Sequence, residues 1–72
     1  MKQDIHRYAA HEVVIGEQTL YQAYVEIADG FVVKYGEFRE EMAFTEWLGG
    51  IIKVKINGMG LLYACYDNKL LM

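Results

Sequence analysis

The sequence has no proline and no serine, one cysteine and two histidines in 72 residues. Each scarcity excludes something. Without serine there is no serine nucleophile, and Thr19 and Thr45 stand in a turn and in a covering segment, not beside a base. One cysteine, Cys65, forms no internal disulfide and fits a reducing compartment. In the apolar stretch Leu61–Tyr66 it reads as a small hydrophobe. His6 and His11 are five apart, so a regular strand points them to opposite faces, and no third metal ligand is evident. His11 beside Glu26 across a hairpin would be a cross-strand pair. We therefore expect no catalytic residue, no metal and no cofactor.

Charge of one sign is also thin. Seven Lys+Arg face ten Asp+Glu, for a net charge of −3. A nucleic-acid binder needs a basic excess to neutralise phosphates, so nucleic acid and an anionic membrane surface are not expected partners. No run of 18 apolar residues is present, so no transmembrane helix is expected. The first residues, Met1–Arg7, hold no apolar core of a secretory signal, which makes the cytoplasm the expected location. Glu37, Glu40, Glu41 and Glu46 read as a solvated acidic face.

What is abundant is apolar. The chain is 54% hydrophobic and 14% aromatic. A single domain of this length hides little surface, because a core this small supplies only about 3–5 kcal/mol. With no disulfide and no expected metal, self-association is the economical way to cover the rest.

Period-two alternation dominates, punctuated by glycine turns. Strands are predicted over Ile5–Ile15, with a bulge or face switch near Ala9-Ala10, and over Leu20–Ala28, Phe31–Tyr35, Ile51–Ile56 and Met59–Tyr66. In the second strand Tyr21, Ala23, Val25 and Ile27 share a face. In the fourth, Ile52, Val54 and Ile56 point inward. Asp29-Gly30 and Asn57-Gly58 each predict a two-residue type I′ hairpin, which makes Gly58 intolerant of a β-branched residue. Asp67-Asn68 offers a further turn before a short last strand. Residues Arg39–Leu48 break the pattern and read as a covering loop or one helical turn. The predicted fold is all-β. It is a small antiparallel meander of five or six strands, sandwich-like or half-barrel, forming one domain over 1–72.

Two resemblances are carried by short stretches of the chain. Ala10-His11-Glu12-Val13-Val14, then Ala23–Val33 with its Asp-Gly turn, then Leu48-Gly49-Gly50-Ile51-Ile52-Lys53-Val54, resemble the small N-terminal β-domain of amidohydrolase-type metal-dependent hydrolases. The family's His-x-His is replaced here by Asn57-Gly58-Met59-Gly60, and no catalytic barrel follows. Phe44-Thr45-Glu46-Trp47-Leu48-Gly49-Gly50 is similar to a segment of short bacterial proteins without an assigned activity. These resemblances imply a β-fold and no catalytic residue.

Ten aromatics exceed what one small core holds. Tyrosine and tryptophan favour surfaces that are apolar on one side and wet on the other. Phe44, Trp47, Tyr63 and Tyr66 are the expected interface or ligand groove. The leading expectation is a non-enzymatic module that forms a homodimer. The alternatives are a small-molecule or peptide binder with a Tyr/Trp-lined groove, and an accessory or remnant domain related to the hydrolases.

Overall fold

The computed structural model describes residues 4–40 and 44–72. Seven strands follow in order: β1 (Ile5–Ile15), β2 (Gln18–Ala28), β3 (Phe31–Glu37), β4 (Thr45–Trp47), β5 (Ile51–Ile56), β6 (Leu62–Tyr66) and β7 (Lys69–Leu70). They make one sheet in the order β3-β2-β1-β5-β6-β7, with β4 also paired to β1. The all-β expectation holds, and the described residues contain no helix.

The sheet is mixed, not a pure antiparallel meander. β4 and β5 both run parallel to β1, β4 along Arg7–Ala9 and β5 along Glu12–Ile15. After β3 the chain crosses to the far side of β1, so β3 and β4, adjacent in sequence, are not adjacent in the sheet. The Arg39–Leu48 segment therefore yields a short strand at Thr45–Trp47. Its residues 41–43 lie outside the described residues.

The inner face holds the core: Ala10, Val13, Ala23, Val25, Ile27, Val32, Ile52, Val54 and Ala64. β3 approaches β6 across this face, so the sheet curls over its own core without closing. On β1, Ala10 and Val13 are both in the core although three apart; on β2, Ala23 is in the core and Leu20, three residues earlier, packs against it. Strict alternation forbids this. Both strands switch faces together while their register is kept, Ala10 opposite Ala23 and Val13 opposite Leu20. The switch sits at His11-Glu12 facing Tyr21-Gln22, two residues beyond the expected Ala9-Ala10, and Gln22 takes φ 48° there. It turns Tyr21 out to solvent, away from the face it was expected to share with Ala23.

Asp29-Gly30 closes a two-residue loop between Ala28 and Phe31, with φ 54° and 81°, as a type I′ turn requires. Asn57-Gly58 does not. Here Ile56 pairs with Leu62, and Asn57 N–H donates to the Leu61 carbonyl at 2.9 Å. Gly60 N–H donates to the Asn57 carbonyl at 3.1 Å, so the loop proper is Gly58-Met59-Gly60. The Asn57 side-chain oxygen accepts from the Met59 and Leu61 amides at 2.8 and 3.0 Å. The left-handed residue is Gly60, at φ 82°. Gly58 is not left-handed and faces open space, so the strain expected from a side chain at Gly58 falls at Gly60 instead. The second two-residue I′ geometry belongs to Asp67-Asn68, at φ 55° and 65°, between Tyr66 and Lys69.

Candidate functional site

The interior is built from small and β-branched residues. Ala9, Ala10, Ala23, Ala28 and Ala64 are five of the eleven buried hydrophobics, and the largest fully buried side chains are Ile27, Ile52, Val13 and Val25. None of the ten aromatics is among the buried residues. The rings lie outside or at the margin, and one group of them is organised.

Ala9 marks it. It is only 1% exposed yet does not belong to the core cluster, because it points to the outer face, opposite to Ala10. Its strand neighbours are Trp47 on one side and Tyr24 on the other. The Trp47 ring meets the His11 ring edge-to-face at 4.9 Å and the Phe38 ring likewise at 6.3 Å. Such tilted ring pairs add to plain burial. Phe38 reaches this place because its N–H donates to the Gln22 carbonyl at 2.9 Å, at the corner of β2. The Leu48 N–H donates to the Ala9 carbonyl at 2.8 Å, which fixes β4 beside β1.

Tyr24 continues the surface. It lies against Gly36, where a Cβ would stand 3.4 Å from the ring, so glycine leaves the floor free for it. The Arg7 guanidinium sits 5.9 Å from the Tyr24 ring centre and 3.2 Å from the Glu26 carboxylate. Arg7 and Glu26 are direct cross-strand partners. Glu26 is thus engaged by Arg7, and the pairing expected with His11 does not form. Trp47, His11, Phe38, Tyr24 and Arg7 make a continuous aromatic and cationic surface over small floor residues.

The four residues expected together divide among different places. Trp47 belongs to this surface and is 51% exposed. Phe44, three residues earlier, is fully exposed at φ 54°, a conformation that a bulky side chain rarely adopts. It borders a cleft of about 210 Å³ with Ile5, His6, Arg7, Tyr8 and Glu46. Tyr66 packs at the core margin, and its hydroxyl donates to the Leu48 carbonyl at 2.7 Å, tying β6 to the β4–β5 connection. Tyr63 is half-buried on β6, across from Lys55. Sequence reasoning missed His11, Phe38, Tyr24 and Arg7 as a group. The pattern Tyr24…Gly36 and the small Ala9 between large neighbours were the available signals, but only the pairing of strands distant in sequence joins them.

The remaining titratable groups have structural surroundings. His6 lies 6.4 Å from Tyr8, while His11 lies on Trp47. Burial first, and the Glu46 carboxylate second, hold the Tyr8 hydroxyl above its ordinary value of 10.0. That hydroxyl donates to the Met72 carbonyl at 2.9 Å. The Glu37 carboxylate accepts from the Tyr21 amide at 3.0 Å. Cys65 is a half-buried free thiol across from Lys53. Among the described residues no three His, Cys, Asp or Glu side chains gather to hold a metal. Among them, too, no helix is long and apolar enough to cross a membrane. Comparison with protein-family models, with curated proteins and with solved structures finds no match.

Proposed function

We propose that this protein is a non-enzymatic interaction module of the cytoplasm that associates with a second copy of itself through the surface around Phe44 and Trp47. The observation that carries this reading is where the large side chains lie. The interior takes alanine, valine and isoleucine, whereas Phe44, just before β4, is fully exposed and Trp47, at the end of β4, is half exposed. Exposed apolar groups this close together mark contact surfaces more often than solvent-facing ones. Burying a further ~600 Å² of apolar area per copy would contribute on the order of 15 kcal/mol gross. Part of that is offset by the freedom lost on association. Two-fold symmetry is the commonest closed arrangement and brings the Phe44 of each copy towards the Trp47 of the other. The non-enzymatic part of the reading rests on the absence of serine and on the engagements of the two histidines with Trp47 and Tyr8.

Light scattering at micromolar concentration tests it. The expected mass is twice 8.3 kDa. Phe44→Ser and Trp47→Ser are expected to return the chain to a single copy with its β circular dichroism intact. A parent chain that scatters as a single copy overturns the proposal, and so does a dimer that both substitutions leave unchanged.

A further inference from the structure

A different face carries the inference. On β5, Ile52 and Val54 are buried, so Lys53 and Lys55 stand on the opposite, outer side. Across β6 their partners are Cys65 and Tyr63. At this end of the sheet the surface is hollow. A groove of about 640 Å³ is floored by Lys53, Lys55 and Cys65, and the Asp67-Asn68 turn forms one wall. Half-exposed Ile51 and the Tyr66 ring give it an apolar flank. Its size falls within the roughly 300–1,000 Å³ of small-molecule sites.

The charge in the groove runs against the chain as a whole. The protein carries net charge −3, yet the groove holds two lysines against the single carboxylate of Asp67. Arg7, the cation of the aromatic surface, is engaged by Glu26. Among the described residues the side chains of Lys53 and Lys55 make no ion pair or hydrogen bond. Two ammonium groups on alternate residues of one strand stand about 7 Å apart at their backbones. They are free to converge on one doubly charged group, and they gain most from a ligand that keeps its charge at neutral pH.

We propose that the β5–β6 groove is a binding site for a small organic dianion, a phosphate monoester with an apolar substituent. Its phosphate lies between Lys53 and Lys55, and its substituent lies against Ile51 and Tyr66. The site is separate from the Phe44–Trp47 surface and does not depend on self-association.

The test is a titration of the isotope-labelled full chain with phenyl phosphate, followed by amide chemical shifts. Inorganic phosphate and phenol serve as the two half-probes. Saturable shifts confined to residues 50–55 and 63–68 are expected, with phenyl phosphate binding more tightly than either half-probe. In the Lys53→Gln/Lys55→Gln variant, whose spectrum elsewhere should match the parent, affinity is expected to fall at least about tenfold, or 1.4 kcal/mol. Trp47→Ser should leave it unchanged, which separates this site from the self-association reading. Inorganic phosphate binding as tightly as phenyl phosphate overturns the apolar half of the site. Scattered or non-saturating shifts, or a double variant that binds like the parent, overturn the site itself.

Discussion

The two faces of the sheet solve packing in opposite ways. The inner face buries Val13, Val25, Ile27 and Ile52 with alanines between them. The outer face lays Trp47, Phe38 and Tyr24 around Ala9 and Gly36. A single sheet curled on itself leaves a narrow interior, and short branched side chains fill it in few rotamers. Rings need width, which only the open side offers, and there they keep one edge wet. The difference teaches that the two faces are filled by different residue types: aliphatic inside, aromatic outside.

The sharpest way to break this contrast is to remove volume from each face. Ile52→Ala empties a site where β5 meets β1 and is expected to cost about 2–4 kcal/mol, much of what a chain this small possesses. Urea denaturation measures it as a lower midpoint at unchanged slope. Trp47→Ala removes a larger side chain, but one that is 51% exposed. Its expected cost to the fold is about 1 kcal/mol, read at a concentration where the chain is a single copy. Equal losses at the two positions would show that the outer rings are core in all but position.

The smallest effect concerns the tie at the margin of the inner face. The Tyr8 hydroxyl is held above its ordinary value by burial and then by Glu46. The fold therefore favours its neutral form. The corresponding stability is complete below pH 10.0, the unfolded value, and is lost as pH rises through the higher folded value. Tyr8→Phe should cost about 0.5–1 kcal/mol at neutral pH, where the hydroxyl donates to the Met72 carbonyl. The gap between parent and variant should narrow above pH 10. A gap constant from pH 7 to 11 would mean that ionisation of Tyr8 does not bear on folding.

Local signals carried much of the fold. β1 runs from Ile5 to Ile15 as expected although neither of its faces is cleanly apolar, and Asp29-Gly30 makes the expected turn. Inward Ile52 and Val54 could be read from period two, whereas Ile56 lies beyond the cover and is exposed. The Asn57-Gly58 reading failed for a reason of register. A two-residue loop there would set Leu61 and Tyr63 opposite Val54 and Ile52. The longer loop sets Ala64 opposite Val54 and Tyr66 opposite Ile52. A slip by an odd number of residues exchanges the two sides of a strand, and the crowded inner face takes the small Ala64 opposite Val54 where Leu61 would otherwise stand. Turn propensity, worth less than that packing, yields.

The sequence by itself determined the all-β class, most strand limits and the surplus of aromatic surface. These follow from alternation, glycine placement and composition, which act over a few residues. Only the tertiary structure decided that β4 and β5 run parallel to β1. The same holds for the corner that turns Tyr21 outward, and for the joining of Trp47, His11 and Phe38. Each of these depends on contacts between segments far apart in the chain. Their free energy is gained only when the curled sheet excludes water from its inner face, and no local pattern records which distant strand will do so.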